Sequence, residues 1–83
     1  MQAMRWTGSD RVLMPADELV ELAHEVTEDI LNEQYDGYRA RSQALAQAIT
    51  FNLCGLTQSE QWYVTTTAVQ DSEGWIYSVW VER

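Results

Sequence analysis

An α+β fold, with a two-helix hairpin packed on an antiparallel β-hairpin, is predicted for this 83-residue sequence by three features. Apolar residues recur at helical spacing through the middle of the chain, the period switches to two from Trp62 onward, and glycine-bearing turns separate the segments. A two-stranded hairpin is marginal alone. A short third strand, from the N-terminus or from a second copy of the chain, is therefore expected beside it. The predicted order is (β)-α-α-β-β, in a single domain spanning residues 1–83.

Near the N-terminus, either Ala3-Met4-Arg5-Trp6-Thr7 or Arg11-Val12-Leu13-Met14 suits the short strand, with Gly8-Ser9-Asp10 as a turn between them. The first helix is expected from Pro15 to about Gln34. Proline suits the first helical position, and Asp17 and Glu18 favour the positive end of the helix dipole. Leu19, Ala23, Val26 and Ile30 form one apolar stripe, with Leu22 at its edge. Asp36-Gly37 reads as a turn. A second helix is expected from about Tyr38 to Cys54, stopped by Gly55. Its main apolar face is Tyr38, Leu45, Ile49, Leu53 and Leu56. Ala40, Ala44, Ala48 and Phe51 make a shallower stripe.

From Trp62 to Gln70 β-branched and aromatic residues dominate, and Trp75 to Val81 reads as the return strand. With Asp71-Ser72-Glu73-Gly74 as the loop, Gln70 faces Trp75, Ala68 faces Tyr77, Thr66 faces Val79 and Val64 faces Val81. That set is the expected inner face. Thr65 with Trp80 and Thr67 with Ser78 fall outside.

Charge is distributed unevenly. Thirteen acids stand against five bases, for a net charge of −8, and all five bases are arginine. Residues 12–38 hold eight acids and no lysine or arginine: Asp17, Glu18, Glu21, Glu25, Glu28, Asp29, Glu33 and Asp36. The five acids and five arginines elsewhere cancel. Direct nucleic-acid binding by the acidic segment is not expected on these grounds, since phosphate contacts need Lys and Arg. The expected partner is a basic protein. With no base three or four residues away, the first helix is expected to carry uncompensated like-charge repulsion. The lack of lysine suits GC-rich coding DNA, hence a bacterial or phage source. No apolar run is long enough to span a bilayer, so no membrane association is expected. A single cysteine, Cys54, and an N-terminus without an apolar run behind its charge fit the cytoplasm of a bacterial host.

The sequence offers no catalytic constellation, and the chain reads as non-enzymatic. The only histidine, His24, and the only cysteine are placed on different helices. Cys54 falls near a helix C-terminus, where the dipole disfavours a thiolate. His24 reads as a solvated helix histidine with acidic neighbours. No metal site and no cofactor is expected, because ligands do not cluster and no glycine-rich phosphate loop is present.

The candidate partner-binding residues are the acidic face Asp17, Glu18, Glu21, Glu25, Glu28 and Asp29. Carboxylates in a row on a rigid helix imitate the spacing of phosphates and compete for an Arg/Lys groove by the same electrostatics. A solvated face that keeps the protein soluble is the plainer alternative. A second candidate lies in the hairpin. Trp62, Tyr63, Trp75, Tyr77 and Trp80 exceed what a small sheet buries, which leaves Tyr63 or Trp80 as an interface anchor.

Two resemblances accompany this reading. Tyr38, then Leu53 and Leu56, then Trp62-Tyr63-Val64-Thr65, Gln70 and Gly74 follow each other as in the first part of a Tctex-type dynein light chain, over about 60 residues from Leu19 to Arg83. That resemblance implies a homodimeric adaptor that takes a partner peptide by strand addition. By profile alone, a short, strongly acidic, lysine-free domain also resembles the small phage-encoded inhibitors of the anti-CRISPR type. That likeness implies an inhibitor bound to a nucleic-acid-binding effector complex. An antitoxin-like subunit neutralising a basic partner is a third expectation, and a homodimer is expected on the adaptor reading.

Overall fold

A computed structural model describes residues 4–6, 15–56 and 63–82 of the chain. They form β1 (Met4–Trp6), α1 (Ala16–Leu31), β2 (Gly37–Ala40), α2 (Gln43–Leu56), β3 (Tyr63–Asp71) and β4 (Gly74–Glu82). The strands make one sheet in the order β1-β2-β4-β3, with β1 parallel to β2 and the other neighbours antiparallel. The chain is a small α+β domain of two helices on a sheet, as expected. The helices are not a hairpin, however: a strand runs between them, and the order is β-α-β-α-β-β. Met4–Trp6 forms an N-terminal strand, but it pairs with β2, and it is β2 that lies beside the hairpin. Arg11–Met14 and Gly8-Ser9-Asp10 lie outside the described residues, as does Trp62.

α1 starts one residue later than expected and stops three residues sooner. Pro15 precedes the helix, with φ −58° and ψ 150°, and its carbonyl accepts the Leu19 N–H at 2.9 Å. At the other end Gln34 N–H reaches the Asp29 carbonyl (2.9 Å) and Glu33 N–H the Ile30 carbonyl (3.1 Å). This is a Schellman stop. Its left-handed position holds Glu33, at φ 63°, where glycine is usual. The helix buries Ala23, Val26, Thr27 and Ile30, while Leu19 and Leu22 pack at the edge of the core. Leu22 lies at the edge of the stripe, as its spacing predicts. Thr27, absent from the predicted stripe, turns its hydroxyl to the Ala23 carbonyl at 2.7 Å and accepts Asn52 Nδ2 at 3.3 Å.

The largest departure is at Gly37–Ala40, which the sequence reading placed in a turn and the first turn of helix two. Here the chain is extended. Tyr38 and Ala40 point into the core, both wholly buried, and Arg39 points out. Tyr38 is thus a core residue of a strand and not of a helix. Asp36 and Gly37 do not turn the chain back: the Asp36 carbonyl extends the ladder by accepting Val81 N–H at 3.0 Å. α2 begins where Ser42 caps it. The Ser42 hydroxyl accepts the Leu45 N–H at 3.2 Å and its carbonyl accepts the Ala46 N–H at 3.1 Å. Leu45, Ile49 and Leu53 then lie fully buried on the face expected for them. Gly55, expected as the stop, lies inside the last turn.

The hairpin register is the expected one, with Gln70↔Trp75, Ala68↔Tyr77, Thr66↔Val79 and Val64↔Val81. The inner face of the sheet joins the helices in one core of Tyr38, Ala40, Val79 and Val81 with Val26, Ile30, Leu45, Ile49 and Leu53. On that same face, though, Thr66, Ala68 and Gln70 remain exposed. α2 covers β2 and β4 and leaves much of β3 bare.

Candidate partner-binding surfaces

The first surface is the solvent face of α1. Asp17, Glu18, Glu21, Glu25 and Glu28 are exposed and Asp29 is half-buried. The buried stripe turns inward, and at 100° per residue these acids are carried to the other side. Their repulsion, expected to go uncompensated, is relieved in part. Arg5 lies on the helix-bearing face of β1, opposite Tyr38 in register. Its Nη1 donates to Asp29 Oδ2 at 2.7 Å and its Nη2 to Glu25 Oε1 at 3.2 Å. A base 20 and 24 residues away in sequence does what none does at helical spacing. His24 Nε2 lies 3.3 Å from Glu28 Oε1 across one helical turn, with both groups exposed. Arg5 thus divides the predicted face. Glu25 and Asp29 are tied to the sheet, whereas Asp17 and Glu21 meet no cation among the described residues.

The second predicted surface is aromatic. Tyr63 is 73% exposed, on the outer sheet face. Trp80 is half-buried on that same face and donates Nε1–H to Glu82 Oε1 at 3.3 Å. The two lie one diagonal apart, because Thr65 pairs with Trp80 and Tyr63 with Glu82. Trp75 and Tyr77 stack on the opposite face, with ring centroids 6.4 Å apart. Trp75 is also partly exposed, at 47%.

A third surface went unread in the sequence. Between α2 and the bare part of β3 runs an open groove of about 530 Å³, lined by Ala46, Thr50, Cys54, Thr66, Ala68 and Tyr77 with Phe51 at its rim. Phe51 is 80% exposed. Its sequence signal was its displacement from the Leu45, Ile49 and Leu53 stripe. Cys54 lines this groove, whereas His24 stands on the solvent face of α1 beside Glu28. Beyond the groove, Arg41 grips the hairpin turn. It donates Nη1 to Asp71 Oδ1 at 3.0 Å and Nη2 to Asp71 Oδ2 at 2.9 Å, and lies 3.3 Å from Glu73 Oε2. This fork, with the Glu73 N–H also donating to the carboxylate, holds Asp71 down at about 2.

Among the described residues no three His, Cys, Asp or Glu side chains are grouped to hold a metal, and no helix is long and apolar enough to cross a membrane. Compared with protein-family models, curated proteins and solved structures, the chain has no significant match in any of the three.

Proposed function

We propose that the chain is a non-enzymatic acidic protein-interaction module, an inhibitor of the anti-CRISPR type carried by phages or mobile elements. It binds a nucleic-acid-binding effector in the bacterial cytoplasm and blocks the basic surface that otherwise receives DNA or RNA. One observation carries this reading: Asp17, Glu21 and Glu28 stand exposed along one side of α1. At 1.5 Å per residue they span about 16 Å. The helix beneath them is anchored by the buried Val26 and Ile30, so the carboxylates are presented at fixed spacing rather than on a flexible tail. A groove of Arg and Lys that recognises phosphates attracts such a row by the same long-range field. Arg5 supports the arrangement by neutralising the acids nearest the sheet, Glu25 and Asp29, and leaving Asp17 and Glu21 for a partner.

The test is affinity capture from bacterial lysate with a salt gradient, comparing the native chain with the triple variant Asp17→Lys, Glu21→Lys, Glu28→Lys. A nucleic-acid-binding protein released at moderate salt by the native chain, and not captured by the folded variant, is the expected result. Equal capture by both would overturn the assignment to this face.

A further inference from the structure

We infer that two copies of this chain join through β3, antiparallel about a two-fold axis with Thr67 opposite Thr67, to make one continuous eight-stranded sheet. The inference goes beyond the acidic face, which the pairing leaves free. β3 ends the sheet order, and among the described residues no strand covers its far side. The hairpin register tells which of its groups are open. Asp71 and Gly74 close a two-residue turn and so exchange hydrogen bonds, and bonded and non-bonded pairs alternate from there. Odd-numbered residues of β3 therefore bond to β4. The N–H and C=O groups of Val64, Thr66, Ala68 and Gln70 point out of the edge. The bond from Val81 N–H to the Asp36 carbonyl, on the other side of β4, obeys the same alternation.

Natural edge strands are usually blocked by lysine, proline, bulges or inward charges. From Tyr63 to Gln70 β3 has none of these, and its only acid or base is the terminal Asp71. In a symmetric antiparallel pair, both copies keep their helices on one side, so inner residues meet inner residues. The register that overlaps all nine residues puts Thr66 opposite Ala68, Val64 opposite Gln70, and Thr67 opposite itself. It satisfies all four outward-pointing residues of each copy and opposes no like charges, since Asp71 meets Tyr63 of the second copy. The two grooves then become the walls of one cleft along the axis, with Thr66 and Ala68 of both copies on its floor.

The self-complementary register, uncharged from Tyr63 to Gln70, selects a second copy of this chain, and the charge distribution does not bar it. Two molecules of net charge −8 repel, yet six acids lie on α1, where Glu25 and Asp29 are tied through Arg5 to β1 at the opposite end of the sheet. Asp71 and Glu73, at the end of β3, are paired with Arg41. Three strand spacings separate β1 from β3, about 14 Å, against a screening length of about 8 Å in physiological salt. The uncharged edges approach without bringing the acidic helices together.

The test places single cysteines on the outer face of β3 in a Cys54→Ser background. Thr67→Cys brings two Cα atoms to about 4.5 Å across the axis, within disulfide range. Thr65→Cys leaves its copies offset by four residues, about 13 Å. Mild oxidation is expected to cross-link the Thr67→Cys protein and spare the Thr65→Cys protein. Sedimentation equilibrium of the native chain is expected to give a dimer that persists in high salt. Ala68→Pro, whose lost N–H faces the edge and leaves the bonds to β4 intact, should weaken the dimer about tenfold or more. A folded native monomer at high concentration, equal cross-linking of the two cysteine variants, or an edge that takes an added peptide but never a second copy would overturn the inference.

Discussion

Replacing Arg5 by glutamine tests how a strand of three residues governs the charge of a helix elsewhere in the chain. The change removes a 2.7 Å contact to Asp29, between side chains 24% and 31% exposed, and a 3.2 Å contact to the more exposed Glu25. The first is partly shielded from water and contributes about 1 kcal/mol, and the second a few tenths, about 0.3. Glu25 and Asp29 are one helical turn apart, and without the arginine their repulsion adds another few tenths, about 0.2. The total is about 1.5 kcal/mol, which in a domain of this size lowers Tm by roughly 6–12 °C. Thermal unfolding followed by circular dichroism measures it. The loss should shrink in 1 M salt, where the screening length is about 3 Å. Combining Arg5→Gln with Asp29→Asn closes a double-mutant cycle, expected to return a coupling of about 1 kcal/mol. A coupling within about 0.3 kcal/mol of zero would refute both the pairing and the account of how the acidic helix is tolerated.

Two other expectations concern the turn and the backbone. Asp71 titrates at about 2 rather than at its ordinary 3.8 because Arg41 and the Glu73 N–H bond its charged form. A depressed carboxylate stabilises the fold fully above its unfolded value and loses that contribution as pH falls. Stability should therefore decline from about pH 4 down through about pH 2, and Asp71→Asn should flatten that part of the profile. A carboxyl NMR titration of Asp71 with an unshifted midpoint would contradict it. Three backbone substitutions should move the urea midpoint in opposite senses at constant slope. Gly74, at φ +128° with open space around it, should lose about 1–2 kcal/mol on change to alanine. Gly55→Ala inside α2, where an added Cβ meets nothing within 4 Å, should gain about 0.5–1 kcal/mol. Glu33→Gly at the Schellman position should gain up to about 1 kcal/mol. A loss from Gly55→Ala would mean that this glycine serves as a stop after all.

Of the candidate surfaces, the acidic face was legible because helical periodicity alone separates Asp17, Glu21 and Glu28 from Val26 and Ile30. Its electrostatics were not. Arg5 was expected near a strand, but which face of the helix it meets depends on β1 lying parallel to β2 with Arg5 opposite Tyr38. Tyr63 was read as an anchor and is exposed, whereas Trp80 is half-buried and bonded to Glu82. The groove is not legible in the sequence because it is a gap between elements. Thr66 and Ala68 carry the right parity for the core, and only the position of α2 leaves them uncovered.

Local chemistry was enough for the hairpin register and for most of each helical stripe, with Thr27 missed on the first and Tyr38 misplaced on the second. Alternation from Tyr63 to Val81 about the turn at Asp71–Gly74 admits one register, because a slip by one residue turns every side chain to the wrong face. The loop is shorter than the four residues expected, since Asp71 pairs with Gly74 and only Ser72-Glu73 turns. Leu45, Ile49 and Leu53 likewise admit one buried side. The segment Gly37–Ala40 was beyond such reasoning. Four residues are too few to show a period, and Tyr-Arg-Ala suits a helix as well as a strand. The tertiary structure decided it: β1 on one side and β4 on the other supply the hydrogen bonds, and the core takes Tyr38 and Ala40 only from an extended chain. Ser42, whose hydroxyl caps α2, marked the boundary in the sequence. That signal gains meaning once partners from both ends of the chain meet there. Periodicity and caps are properties of neighbours along the chain, whereas a short central strand exists only by virtue of the strands that flank it.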